Sequence, residues 1–201
     1  MKPAIALLLF LGMVPLLAQE APPPLEPAAL LAIDGDMTWP IGISGQAVGW
    51  SLDRPHRGVT VSARLGNGGG HAYADVYLMK SIGPGTTEKD EIAYRSLDLV
   101  YPYEGWTDLF VDVDLEAGTY WLIVARPRER AHSSINWFVA LPMWVSGSCG
   151  AAHAGSRSYT FHSDAAEYIP ASKFEEKYQP YGFQFEVSEM RAAGSLVCPS
   201  Y

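Results

Sequence analysis

GVTVSARL, Gly58 to Leu65, decides how the rest of the chain is read. Val59, Val61, Ala63 and Leu65 fall on one side of an extended backbone. Thr60, Ser62 and Arg64 fall on the other. A period of two marks a strand with one face buried. HAYADVYLMK, His71 to Lys80, follows the same rule, with Ala72, Ala74, Val76 and Leu78 opposite Tyr73, Asp75 and Tyr77. DLFVDVDL, Asp108 to Leu115, sets Leu109, Val111, Val113 and Leu115 against Phe110, Asp112 and Asp114.

Outward from this centre, GQAVGWSL, TYWLIVA, INWFVAL, SRSYTF and YGFQFEV read as further strands. TYWLIVA is apolar on both faces, which predicts a strand covered on both sides. The separators are turn-rich. In IGPGTT, Ile82 to Thr87, the glycines Gly83 and Gly85 are only two apart, no Lys follows at the right place and no strong helix opens. A phosphate loop of the Walker type needs both, so a tight turn is expected, with Pro84 fixing φ and Gly85 supplying positive φ. Ser172 and Glu175 fit a capping box, which predicts one short helix over Ala171 to Tyr178. Many strands with almost no crossover helices imply an antiparallel sheet. At this length the sheet is expected to split in two: an all-β antiparallel sandwich of eight or nine strands, with a jelly roll as one form of it.

The chain has 201 residues and a net charge of −8, with no basic cluster, which excludes a nucleic-acid binder. Met1 to Ala18 has a short basic start, an apolar run and small residues at Ala18 and Ala21. This is the pattern of a secretory signal peptide cleaved after Ala18 or Ala21, and it implies a secreted or periplasmic protein with no membrane span once the leader is gone. APPPLEP, Ala21 to Pro27, reads as a stiff Pro-rich spacer. The expected organisation is a leader over 1–18, a linker over 19–36 and a β-sandwich domain over 37–201. Cys149 and Cys198 make an even count in an exported chain. Their expected disulfide closes a loop of about 50 residues and stabilises the fold by roughly 4 kcal/mol.

Chemistry is sparse. No H-E-x-x-H spacing and no G-x-S-x-G elbow occurs, so no catalytic residue is assigned. YPYEGW, Tyr101 to Trp106, places Tyr101, Tyr103 and Trp106 beside Glu104 in an expected loop. Such rings stack on a sugar and such a carboxylate accepts its hydroxyl bonds; the same rings can also plug the end of a sandwich. Tyr73 and Tyr77 are expected as exposed strand tyrosines. Asp112, Asp114 and Glu116 are either a solvated outer face or hard-oxygen ligands for calcium. No other cofactor is implied.

VTVSARL from Val59, SIGPGTT with Glu91, Ile92 and Ala93, and LEAGTYWLIV together resemble exported bacterial proteins without assigned activity, many of which carry a C-terminal sorting segment of the PEP-CTERM kind. The resemblance covers roughly Ala47 to Ala125 and implies a secreted β-sandwich. This chain ends in Cys198, Pro199, Ser200 and Tyr201, so anchoring through such a tail is not expected. The leading expectation is a non-catalytic module that binds a carbohydrate or another cell-surface ligand. The alternatives are a structural envelope or matrix protein acting through protein contacts, and a glycoside hydrolase using a carboxylate pair drawn from residues such as Glu104 and Asp112.

Overall fold

The computed structural model describes residues 23–35, 37–42, 45–127, 135–147, 150–159, 166–176 and 182–193. Fourteen strands run through them: β1 (Leu25–Asp34), β2 (Met37–Gly42), β3 (Gly45–Leu52), β4 (His56–Asn67), β5 (His71–Met79), β6 (Glu91–Val100), β7 (Tyr103–Leu115), β8 (Gly118–Ala125), β9 (Ile135–Leu141), β10 (Trp144–Ser146), β11 (Ala151–Ser158), β12 (Glu175–Glu176), β13 (Gly182–Phe183) and β14 (Phe185–Ala192). Every pairing is antiparallel, and two sheets pack face to face as the alternation predicts. The strands exceed the expected eight or nine. β10, β12 and β13 are too short for a period-two signal to register. No helix among the described residues is long and apolar enough to cross a membrane.

The six-stranded sheet runs β12–β11–β3–β8–β5–β6. The eight-stranded sheet is organised by β4. β7 pairs with β4 along its whole length. On the other side of β4, β14 occupies Val59 to Ala63 and β9 occupies Leu65 to Asn67. The chain changes partner at Gln184, between β13 and β14. The Gln184 backbone oxygen accepts from the Arg64 amide at 3.2 Å and from the Trp137 indole at 2.8 Å, and its amide donates to Phe138 at 2.8 Å. This buried fork therefore leaves its backbone groups paired.

β1 corrects the expected linker. Leu25 to Asp34 lies between β10 and β14, with Leu30, Leu31 and Ile33 buried in the shared core. The prolines of APPPLEP suggested a free spacer, but the aliphatic run behind them is pulled into the sheet by the surface it buries.

Between the sheets, Val59, Val61, Ala63 and Leu65 of β4 face Ala72, Ala74, Val76 and Leu78 of β5, all fully buried. Trp50 from one sheet meets Phe185 from the other at 5.7 Å and Tyr120 at 5.9 Å. TYWLIVA is covered on both faces. Tyr120, Leu122 and Val124 point into this core; Trp121, Ile123 and Ala125 join a second cluster on the outer side of the six-stranded sheet. There Tyr159, Ile169, Tyr168 and Phe174 lie over Ala47, Tyr77 and Met79. Gly49 is required at this spot, because the Trp121 ring lies where a β-carbon would sit.

Over 171–176, the described part of the helix expected over Ala171 to Tyr178, the covering segment is not an α-helix. Only Ile169–Ala171 makes a 3-10 turn. Ser172 is extended, and its hydroxyl accepts from the Ala166 amide at 3.1 Å and caps no helix. Burial of Ile169 and the contact of Phe174 with Tyr159 outweigh the weak local helix preference. The capping box occurs instead after IGPGTT. Thr87 caps the 3-10 turn Glu88–Asp90, and the Asp90 carboxylate accepts from the Thr87 amide at 2.9 Å. IGPGTT itself is a turn. Gly83 and Gly85 have φ of 102° and 95°, and the Thr86 amide donates to the Gly83 oxygen at 3.1 Å.

β7 departs from simple alternation. Its register against β4 slips three times: between the Leu115 and Val113 pairs, where the extra residue lies on β4, and between the Val113 and Phe110 pairs and the Phe110 and Asp108 pairs, where it lies on β7. Each extra residue shifts the phase, so Phe110 turns inward with Leu109, and Val111 turns out to solvent. Asp112 sits in the bulge with φ of 59°. Arg95 reaches across from β6 and donates to the backbone oxygens of Asp108 and Leu109, both at 3.0 Å, which blunts this edge.

A hydrogen-bonded triad ties β4 to β14. The His56 Nδ1 donates to Glu189 at 2.8 Å, and Arg191 donates to the second Glu189 oxygen. Burial pushes the Glu189 carboxyl up, but the bonds from His56 and Arg191 and the Arg191 charge outweigh it and hold the carboxyl below its ordinary value of 4.5. A depressed carboxyl contributes stability that is present above that ordinary value and lost as pH falls below it. The stability gap between the natural chain and Glu189→Gln should therefore be largest at neutral pH and shrink below about pH 4.5, as read by urea unfolding across pH.

Candidate functional site

YPYEGW is only in part a loop. Tyr101 and Pro102 make the reversal between β6 and β7, and the Tyr101 amide donates to the Gly70 oxygen at 2.9 Å. From Tyr103 the chain is already strand. Alternation then separates the rings. Tyr103 turns inward against the core, and its hydroxyl bonds to Thr107 Oγ1 at 2.8 Å and to the Trp106 oxygen at 3.2 Å. Glu104 and Trp106 turn outward, and Tyr101 stands exposed at the tip.

Trp106 lies directly across from Arg64 and is 44% exposed. Arg64 is the residue the sequence reading missed, although alternation had set it on the polar side of GVTVSARL. Its guanidinium rests on the Phe138 ring, 4.8 Å from the centroid. It donates to Glu104 at 2.9 Å and reaches Gln184 Oε1 at 3.5 Å. Next along the same face, the Ser62 hydroxyl donates to Asp108 at 2.7 Å. The result is a flat sheet face with one upturned indole, a fixed guanidinium and two carboxylates. It offers an apolar platform flanked by donors and acceptors, all carried on strands that cost little to order.

The expected tyrosine pair is divided. Tyr77 is buried beneath Tyr168 and beside Tyr94, and burial, with the Asp75 charge, pushes its hydroxyl pKa up. Tyr73 is half-buried and stacks on His71. Tyr94 is the ring that reaches solvent. It donates to Asp75 at 2.9 Å, and burial together with that bond raises its pKa to about 12.

Asp112, Asp114 and Glu116 do not converge as calcium ligands. Arg57 bridges Asp114 and Glu116, both at 3.1 Å, and the Gly58 amide donates to Asp114 at 3.2 Å. Among the described residues no three His, Cys, Asp or Glu side chains are grouped to hold a metal ion. Nor do Glu104 and Asp112 form a hydrolase pair. Eight residues of strand separate them, more than 20 Å at about 3.3 Å each, whereas glycosidase carboxylates stand roughly 5–10 Å apart.

A cleft of about 190 Å³ opens at the other end of β6 and β7, between the two sheets' edges. Lys80, Glu91 and Ile92 form one wall; Asp114, Leu115, Glu116 and Tyr120 form the other. Tyr168 donates to Glu91 at 2.8 Å, and the Tyr120 hydroxyl donates to the Glu116 oxygen at 2.6 Å. Burial and the Glu91 bond push the Tyr168 pKa up. No sequence motif joins these residues; only strand pairing and the β7–β8 turn bring them together. Cys149, Cys198 and the 1–18 leader lie outside the described residues. No protein-family model, curated protein or solved structure matches this chain, so its function is read from the chemistry of these two surfaces.

Proposed function

We propose that this protein is an exported, non-catalytic β-sandwich module that binds carbohydrate on the sheet face around Trp106. The observation that carries the reading is the half-exposed indole set across from Arg64, with Glu104 and Asp108 flanking it. A pyranose presents an apolar C–H face and a rim of hydroxyls. The indole takes the first; the carboxylates and the guanidinium take the second. The hydrogen bonds of Arg64 and Asp108 within the face fix these groups before any ligand arrives, which lowers the ordering cost of binding. Export follows from the leader pattern of Met1 to Ala18. The exposed rings fit ligand binding better than a plug, since a plug would bury them. The envelope-protein alternative drew on the long two-faced apolar runs, and TYWLIVA spends both faces inside the fold.

Trp106→Ala should weaken binding of soluble β-glucan, chitin or xylan oligosaccharides by about 30-fold, equivalent to ~2 kcal/mol. Its melting temperature should stay near that of the natural chain, because the ring is a surface group. Calorimetric titration measures the first and thermal unfolding the second. Equal affinity in the variant would overturn the reading.

A further inference from the structure

The cleft between Lys80 and Glu116 begins eight residues along β7 from Trp106, about 25 Å at ~3.3 Å per residue. It is therefore independent of the carbohydrate face. Its charge pattern is unusual. Lys80 makes no ion pair among the described residues, although Glu91, Asp114 and Glu116 line the same small space. Arg57 is shared by Asp114 and Glu116, so that wall keeps one negative charge in excess. Tyr168 holds one oxygen of Glu91. Ile92 is half-buried at the cleft, and the buried Leu115 and Tyr120 close its floor. The walls are well anchored. The Lys80 amide donates to the Asp90 oxygen at 2.8 Å, and Tyr120 ties the start of β8 to Glu116.

We propose that this cleft binds a small zwitterion, an α-amino acid with an aliphatic side chain. Opposite charges that share a cleft without pairing to each other are complementary to a ligand that carries both signs. Lys80 receives the ligand carboxylate. Glu91 and Glu116 receive its ammonium through charge-assisted hydrogen bonds. Ile92 receives the aliphatic body over the floor formed by Leu115 and Tyr120. The volume of about 190 Å³ suits a single amino acid and excludes an oligosaccharide.

The test is an amide NMR titration of the purified chain with three probes: L-leucine, leucinamide, which lacks the carboxylate, and 4-methylpentanoate, which lacks the ammonium. Leucine should give saturable shifts at the Ile92, Leu115 and Tyr120 amides. Each half-ligand should bind about tenfold more weakly or worse. Lys80→Met should abolish the preference for leucine over leucinamide, and Glu91→Gln its preference over 4-methylpentanoate. No saturable shift with leucine, or equal binding of either half-ligand, would overturn the proposal. The three-probe comparison on the natural chain decides the matter even if a variant fails to fold.

Discussion

A chain that begins at Met37 is expected not to fold, whereas one that begins at Pro23 should melt cooperatively. The reason is β1. Leu30, Leu31 and Ile33 are buried between the sheets, and each contributes roughly 1.5–3 kcal/mol by leaving water. Their joint loss of about 5–9 kcal/mol is comparable to the whole stability of a typical domain, about 5–15 kcal/mol. Truncation would also strip β14 of its outer neighbour and leave β10 with nothing to pair against. Near-UV circular dichroism and thermal unfolding of the two chains make the comparison. A cooperative melt of the shorter chain within a few degrees of the longer would refute the placement of β1 in the core.

The second large effect is expected at the junction of the sheets. Phe185→Ala should destabilise by about 3–5 kcal/mol, because a fully buried ring is removed where Trp50 and the β14 backbone cannot close the gap. Trp50→Ala should cost a similar amount. The two losses should not add: the rings touch at 5.7 Å, so the double variant should fall short of their sum by about 1 kcal/mol. Urea unfolding of the four proteins gives the cycle. A loss below about 1 kcal/mol for Phe185→Ala would mean that the sheets do not share this core.

What was legible in the sequence follows from what periodicity can carry. GVTVSARL and HAYADVYLMK alternate without interruption, and their inward sets are fully buried, although Tyr77 and Met79 on the other face of β5 are buried as well under the covering segment. TYWLIVA announced cover on both faces and has it. IGPGTT declared its turn through Pro84 and Gly85, because both act through local backbone geometry. DLFVDVDL misled after Phe110. A bulge depends on the partner strand, and nothing within β7 itself marks the slip at Asp112. Leu25 to Asp34 was hidden by the prolines before it, and the Ser172 box by tertiary packing stronger than a cap.

The site was legible only by halves. Trp106 and Glu104 stood out as an aromatic beside a carboxylate. Their partner Arg64 is 42 residues from Trp106 and arrives by strand register, which no motif records. Treating YPYEGW as a loop hid the alternation that sends Tyr103 inward. The carboxylates of Asp114 and Glu116 looked like ligands because their counter-ion, Arg57, lies on another strand. In each case the missing half was supplied by a long-range pairing.

The most direct test of the carbohydrate face is the set of tryptophan indole N–H resonances, followed while soluble β-glucan, chitin and xylan oligosaccharides are added. The chain has six tryptophans, of which Trp50 and Trp137 are sealed in the core and Trp106 stands on the proposed face. The account predicts that the Trp106 signal moves and saturates with at least one of these glycans while those of Trp50 and Trp137 hold their positions. A Trp106 signal that stays fixed throughout would contradict it.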